Sequence, residues 1–443
     1  MKFFYTAIFT IALPILAIRS WLVNRRSVAA GSRWLERLGF YGECQSANDN
    51  SSSKVVWIHA VSVGETVAAV PLVRELLADS LNVDVVLTTT TVTGYQSVKR
   101  LLGETVTHVY CPYDLPFAVS RFVNFFRPQL LVLLETELWP STLAICAERD
   151  IPALLVNARL SERSLRKYRW VGNVMKETVR RISIIAAQSE EDAERFALLG
   201  AKKDNLVVTG NLKFDHKAPS SIIEQGASLR RRLGDGRRIF ILASTRTGEE
   251  KVLIEAIRPL QRLIPDILMV VAPRHPERFG EVSNLFEDNG FKVIRHSDSS
   301  NSDQNFDVYV VDSMGELPQF YAASDVAFVG GSLLPYGGHN VLEPAALGIP
   351  VLTGPNTYNF AGVCKMLEKS GALAVVETTT QLVERAAKWL LDGNERDRVG
   401  MISMDLVQAH GGATKKTFMI ISEYLQSNSK VYAQSENRSS SIC

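Results

Sequence analysis

Apolar and polar positions alternate regularly along this chain from residue 54 onward. Short apolar runs of strand length are separated by longer stretches with the apolar spacing of a helix. The strand candidates are 55–59, 83–88, 130–134, 153–156 and 182–188 and, after a polar stretch at 217–226, 238–243, 267–272, 292–295, 309–311, 326–329 and 351–353. This alternation predicts an α/β protein with two doubly wound parallel-sheet domains, which face each other and bind ligands at the carboxyl ends of their strands.

The first 41 residues depart from this pattern. Residues 3–18 form an apolar segment without a charge. Trp21, Trp34 and several arginines follow, and residues 2–37 hold six basic side chains against one acidic. We expect residues 1–41 to form a membrane anchor helix with its basic flank on the cytoplasmic side. The alternatives are a cleaved signal peptide and a buried N-terminal helix.

Composition narrows the protein class further. The 443 residues suffice for two or three domains, and the formal net charge of +2 gives no broad field for a nucleic-acid partner. The 5 cysteines have no paired spacing, which argues against a disulfide framework and against a cysteine zinc site. We place an N-terminal domain at 54–216, a C-terminal domain at 217–426 and a disordered tail at 427–443.

Acidic residues follow strands in the first half of the chain. Glu65 begins a helix directly after the first strand, where it is either a general base toward a hydroxyl or an ordinary first-turn acid. Glu135 and Glu137 follow the strand at 130–134, and strand alternation puts both on one face. At least one should reach the crevice, although both could cap the next helix. Lys213 is either a cation for a leaving phosphate or a solvated lysine.

Two segments of the second half also end strands. Arg274 lies between two prolines, in a turn that suits a phosphate or a base edge. A glycine-rich stretch at 330–338 leads into a helix near Asn340, and its backbone N–H groups and helix start are expected to bind phosphate. Glu343, in the first helical turn, can accept hydrogen bonds from a ribose diol.

Taken in order, these segments resemble the family of 3-deoxy-D-manno-octulosonic acid (Kdo) transferases of lipopolysaccharide synthesis. The resemblance extends from the N-terminus to about residue 425. The matching segments are WIHAVSVGE at 57–65, ETELWP at 135–140, NARLSERS at 157–164, GNLKFD at 210–215, APRHPER at 272–278, DSMGEL at 312–317 and GGHNVLEPAALGIPVLTGP at 337–355.

The resemblance implies a GT-B glycosyltransferase with two facing Rossmann-like domains. It implies inverting transfer of Kdo from CMP-Kdo, held by the C-terminal domain, to a lipid A precursor (lipid IVA), bound by the N-terminal domain. The site would lie at the cytoplasmic side of the inner membrane and need no metal or other cofactor. Glu65 would be the base, with Glu135 and Lys213 supporting the transition state. The implied CMP-binding residues are Pro273, Arg274, Met314, Gly315, Glu316, Asn340, Val341, Leu342 and Glu343.

One segment departs from the family pattern. Arg246 and Thr247 stand where we expect His-Glu, and this either alters the donor phosphate contacts or is a local variant. Two other functions stay open: a GT-B enzyme that uses a UDP-sugar, as a transferase or an epimerase, and a non-catalytic lipid-binding scaffold of GT-B type. The acids Glu65 and Glu135 argue against the scaffold, because a scaffold has no need of desolvated carboxylates in its crevice.

Overall fold

The computed structural model describes residues 33–42, 53–215, 220–301 and 305–439. It divides the chain into two compact units. The first unit comprises Met1–Asp215 and Gly411–Cys443, and the second comprises His216–His410.

A parallel seven-stranded sheet with the order β3-β2-β1-β4-β5-β6-β7 forms the centre of the first unit. Its strands are β1 (Lys54–His59), β2 (Val83–Thr89), β3 (Thr107–Tyr110), β4 (Leu130–Leu134), β5 (Ala153–Ala158), β6 (Ile184–Ala187) and β7 (Leu206–Val208). Its helices are α1 (Val63–Ala78), α2 (Val92–Leu102), α3 (Pro116–Phe126), α4 (Pro140–Glu148), α5 (Glu162–Val171), α6 (Asn173–Arg180) and α7 (Glu190–Leu199).

The central strands of this sheet are buried on both faces. In β4, Leu131 and Leu133 belong to one apolar cluster with Phe122, while Leu130 and Val132 belong to a second cluster on the other face. Side chains alternate between the faces of a strand, so a strand covered by helices on both sides must be apolar throughout. This requirement explains why the continuous apolar run at 130–134 is a strand.

The second unit repeats this plan, with a parallel seven-stranded sheet in the order β10-β11-β9-β8-β12-β13-β14. Its strands are β8 (Ile239–Thr245), β9 (Leu268–Pro273), β10 (Val293–Arg295), β11 (Val308–Val310), β12 (Val326–Val329), β13 (Val351–Thr353) and β14 (Leu373–Val375). Its helices are α8 (Ser220–Leu233), α9 (Glu249–Leu263), α10 (Phe279–Asp288), α11 (Leu317–Ala322), α12 (Leu342–Ala346), α13 (Ala361–Lys369), α14 (Thr379–Leu391) and α15 (Gly393–Ala409).

The last helix, α16 (Ala413–Ser439), returns to the first unit, so the predicted C-terminal domain ends too late at residue 426. Ile421 and Leu425 lie in the core of the first unit, and Lys54 Nζ donates to the carbonyl of Leu425 over 3.1 Å. The carboxylate of Asp215 accepts hydrogen bonds from backbone N–H groups at the start of this helix. Burial of apolar side chains from a distant segment determines this boundary, and sequence spacing does not reveal it.

The described parts of both chain ends differ from what the sequence predicts. Tyr41 is buried against Phe122 and Phe126, so the end of the predicted anchor belongs to the first unit. We predicted a disordered tail at 427–443, but the backbone of 427–439 is helical. This stretch contains no glycine or proline, the two residue types that most disfavour a helix. Within the described ranges, no helix is both long and apolar enough to cross a bilayer. Most of the predicted anchor, residues 1–32, lies outside the described residues.

Candidate active site

Glu65 is held at the start of α1, immediately beyond β1. Its carboxylate accepts hydrogen bonds from the backbone N–H of Val61, over 2.8 Å, and from the hydroxyl of Ser62, over 3.0 Å. The Ser62 hydroxyl in turn accepts from the N–H of Glu65, so the pair forms a helix cap related to a capping box. Burial raises the pKa of Glu65 to about 7, and the charge of Glu135 adds to this shift. The residue is therefore both a first-turn cap and an acid that titrates near neutrality.

Glu135 and Lys213 form an ion pair in the first unit. Lys213 Nζ lies 2.9 Å from Glu135 Oε1. Lys213 belongs to the turn Leu212–Phe214, which Asn157 fixes because its side-chain oxygen accepts from the N–H of Leu212 over 3.0 Å. The sequence therefore identifies two residues that the fold brings together across 78 positions.

The predicted strand geometry around Glu135 is wrong. Strand β4 ends at Leu134, and Glu135 has φ 56°, in the left-handed region that is uncommon for residues other than glycine. Alternation along a strand therefore does not determine where Glu135 and Glu137 point. A turn separates them, and each carboxylate has its own partner.

Glu137 completes a group of three acids near the end of β4. Its carboxylate accepts from the indole N–H of Trp139 over 2.8 Å. Burial raises the pKa of Glu137 to about 7, and the charge of Glu65 raises it further. His59 Nε2 lies 4.0 Å from Glu137 Oε2, and burial lowers the pKa of His59 to about 4, so this imidazole is neutral at pH 7. The predicted site omitted Glu137, although the Glu-x-Glu spacing after a strand was a signal for it.

The predicted CMP-binding residues lie in three loops of the second unit. Pro273 ends β9, and the N–H of Arg274 donates to the carbonyl of Thr245 over 3.0 Å. Met314, Gly315 and Glu316 follow β11, and Asn340, Val341, Leu342 and Glu343 follow β12 and begin α12. All three loops leave the same carboxyl edge of one parallel sheet, which is where ligands of such sheets bind.

Side-chain burial determines which groups of these residues can contact a ligand. Val341 and Leu342 are fully buried, so only their backbone groups can face a ligand. The amide of Asn340 donates to the carboxylate of Glu343 over 3.1 Å, which orients that acid. The side chain of Met314 is exposed.

Three N–H groups in the turn after β12 already have a partner within the chain, where the sequence predicts groups that are free for phosphate. The carboxylate of Glu249 accepts from the N–H groups of Gly331, Ser332 and Leu333 over 2.7, 2.8 and 2.9 Å. It also accepts from the N–H of Arg246 over 2.9 Å, and it is fully buried. These donors hold an internal anion, so phosphate binding by them was a wrong expectation. Sequence analysis missed Glu249, because three of its four N–H partners lie more than 80 positions away.

Within the described part of the chain, no group of three or more His, Cys, Asp or Glu side chains could hold a metal ion. The expectation that catalysis needs no metal stays a prediction.

Comparison with known proteins decides the family. A model described as 3-deoxy-D-manno-octulosonic-acid transferase (kdotransferase) matches residues 32–216, and one described as glycosyl transferases group 1 matches 201–403. The 3-deoxy-D-manno-octulosonic acid transferase of Haemophilus influenzae is 39% identical over 96% of this chain and 99% of its own. The transferase of the same description from Bordetella pertussis is 36% identical over 94% of this chain and 99% of its own. The chain belongs to the Kdo transferase family.

Solved structures agree with this family in fold. A UDP-GlcNAc 2-epimerase from Neisseria meningitidis covers 84% of this Kdo transferase family member and 100% of its own chain, with a TM-score of 0.57. At 16% identity that likeness shows only the fold, two Rossmann-like parallel-sheet domains of the GT-B class. The predicted family, fold class and enzyme class are confirmed: the protein is a glycosyltransferase that transfers Kdo in lipopolysaccharide synthesis.

Proposed function

We propose that this Kdo transferase moves Kdo from CMP-Kdo to a lipid A precursor, with inversion at the anomeric carbon of Kdo and without a bound metal. The observation that carries the proposal is the buried Glu65, whose pKa is raised to about 7 in the same unit as the Glu135–Lys213 ion pair. A base with a pKa near the working pH suits the removal of a proton from a hydroxyl as that hydroxyl attacks.

In the proposed reaction, a hydroxyl oxygen of the acceptor bonds to the anomeric carbon of Kdo as the bond from that carbon to the phosphate oxygen breaks. The acceptor proton goes to Glu65, and CMP leaves with the electron pair of the broken bond. The hydrogen bonds from Val61 and Ser62 fix the Glu65 carboxylate, so its orientation need not be restricted during the reaction.

Lys213 and Glu135 are assigned to the charge that develops in this step. An ammonium group near a departing phosphate stabilises the transition state electrostatically. Glu135 holds that ammonium group at 2.9 Å, and Asn157 fixes the turn that carries it. Glu135 thus acts through Lys213 in this scheme, and its charge also raises the pKa of Glu65.

CMP is assigned to the second unit. Arg274 suits the phosphate, because a guanidinium group donates two parallel hydrogen bonds to such an anion. The carboxylate of Glu343, oriented by Asn340, suits the ribose hydroxyls. The remaining contacts come from Pro273 and 314–316 and from the backbone of Val341 and Leu342.

We further propose that residues 1–41 hold the enzyme on the cytoplasmic face of the inner membrane. The apolar segment at 3–18 and the basic side chains after it support this. At the described end of this region, Trp34 and Phe40 are each 49% exposed, and Phe117 in the first unit is 46% exposed. The Arg121 guanidinium lies over the Phe40 and Phe117 rings, a pairing of aromatic and cationic groups suited to an anionic bilayer surface.

The test is a reconstituted reaction. The full-length protein is incubated with CMP-Kdo and a tetra-acylated lipid A precursor in detergent micelles, with and without EDTA, and the lipid products are weighed by mass spectrometry. We expect the product mass to rise by one or more Kdo residues in both conditions, and CMP but not UDP to inhibit. A lipid of unchanged mass, or equal inhibition by UDP and CMP, would overturn the proposal.

A further inference from the structure

Arg246 occupies the point in the second sheet where the chain order changes direction. Strand β8 pairs with β9 on one side and with β12 on the other, and the later strands extend the sheet away from this position in both directions. Ligands of open parallel sheets bind outside the carboxyl edge at such a point. Arg246 is the first residue after β8 and is half-buried.

Neutral groups hold the Arg246 side chain in place. Its Nη1 lies 2.5 Å from His275 Nε2, and its guanidinium carbon lies 4.6 Å from the centre of the Tyr336 ring. A guanidinium group can only donate, so the imidazole accepts at Nε2 and carries its own proton on Nδ1. Burial and the charge of Arg246 lower the pKa of His275, in agreement with a neutral ring.

The charge of Arg246 has no internal counterion among the described residues. None of the ion pairs within the described ranges includes it. The nearby carboxylate of Glu249 accepts from the backbone N–H of Arg246 and from the glycine turn. A cation fixed by an imidazole and an aromatic face, without an acid partner, is arranged to bind an anion from outside the chain.

The loop after the neighbouring strand β9 carries a second cation, Arg274. The N–H of Arg274 donates to the carbonyl of Thr245, the residue before Arg246. Two guanidinium groups therefore follow neighbouring strands. The donor has two anions to match them, because Kdo is a sugar acid whose carboxylate is bonded to the same anomeric carbon that carries the phosphate of CMP.

We propose that Arg246 binds the carboxylate of the donor's Kdo while Arg274 binds the phosphate of its CMP. This inference rests on the proposed function and adds a subsite to it. CMP alone lacks the carboxylate, so Arg246 distinguishes the loaded donor from the product that must leave. The pairing persists through transfer, because the carboxylate keeps its charge while the bond from the anomeric carbon to the phosphate oxygen breaks.

The test compares CMP with CMP-Kdo on Arg246→Ala and Arg246→Gln, with Thr247→Ala as a matched control on an exposed neighbour. Calorimetry measures CMP affinity, and steady-state kinetics measures KM and kcat for CMP-Kdo. Loss of a charge-assisted bidentate contact should raise KM for CMP-Kdo about 10- to 100-fold. CMP affinity and kcat should change by less than about twofold, as expected for a contact made equally in the ground and transition states. Arg246→Lys should recover part of the lost affinity.

Two results would overturn the inference. If the affinity for CMP falls as much as KM for CMP-Kdo rises, Arg246 binds the phosphate and not the carboxylate. If KM for CMP-Kdo stays at the parent value, the guanidinium group contacts only solvent. Retained CMP binding shows that the second unit of each variant is folded. Failure of the parent protein to transfer Kdo would count against the proposed function instead, whatever the variants do.

Discussion

Replacement of Glu65 by glutamine separates the base from its role as a helix cap. The amide keeps the shape of the side chain and one acceptor oxygen, which can still receive the Val61 N–H, while its NH₂ group can donate to Ser62 Oγ. It cannot take a proton from an attacking hydroxyl. We therefore expect Glu65→Gln to lose transfer by at least about 100-fold, the lower range for general-base catalysis, while CMP binding stays unchanged.

The same substitution has an effect on stability with a definite sign. The pKa of Glu65 is raised from 4.5 to about 7 in the folded protein, so the folded state binds this proton more tightly than the unfolded chain does. Stability is therefore lost as the pH rises from 4.5 to about 7 and is level above that. The full cost of ionising the buried acid is about 3 kcal/mol. Glu65→Gln should match the parent at pH 4 and exceed it by up to about this amount at pH 9.

The assay is urea unfolding followed by tryptophan fluorescence at a series of pH values. Of the 6 tryptophans, only Trp389 lies in the second unit, so the signal reports mainly on the first. A stability difference that fails to grow with pH would refute the raised pKa. Transfer by Glu65→Gln at a rate close to that of the parent would refute the assignment of the base, even if the stability result holds.

Three further substitutions test the surrounding charges. Lys213→Met should slow transfer about 100- to 1000-fold, as removal of one transition-state donor does elsewhere, and leave CMP affinity unchanged by calorimetry. The charge of Glu65 raises the pKa of Glu137, so in Glu65→Gln carbon-13 NMR of labelled carboxyls should show Glu137 titrating below about pH 7. A pKa of Glu137 that is the same in the variant and the parent would contradict an interaction between the two acids. Glu249→Gln should destabilise the second unit by at least about 2 kcal/mol, because one amide oxygen cannot satisfy the four backbone donors. Glu255 is exposed on the same helix, so the control variant Glu255→Gln should leave the stability unchanged.

The parts of the fold that the sequence predicts are those determined by local patterns. The runs at 55–59, 130–134 and 326–329 are apolar because both faces of their strands are covered, and each is a strand. The predicted strands lack β3, β7 and β14, which are 3 or 4 residues long and lie at the edges of their sheets. The return of α16 to the first unit could not be predicted, since it depends on contacts between residues more than 350 positions apart.

The same distinction applies to the site. Position after a strand identified Glu65, Glu135 and Lys213, and the fold brings the last two into contact. It also suggested that N–H groups of the glycine-rich stretch bind phosphate, which the structure contradicts for Gly331, Ser332 and Leu333, because Glu249 already accepts from them. A motif shows which groups are available at a sheet edge, whereas the tertiary contacts decide which of them are already satisfied.

Backbone conformation shows how the fold supports the Glu135–Lys213 pair. Glu135 and Asn157 have φ values of 56° and 52°, at or near the carboxyl ends of the neighbouring strands β4 and β5. Such residues cost of order 1–3 kcal/mol each and persist only where their surroundings fix them. Here Asn157 uses its side-chain oxygen to hold the turn of Lys213, and Glu135 holds the ammonium group itself. Both strained residues thus act on one lysine, which is the arrangement expected if the position of that charge, rather than its presence alone, determines the rate of transfer.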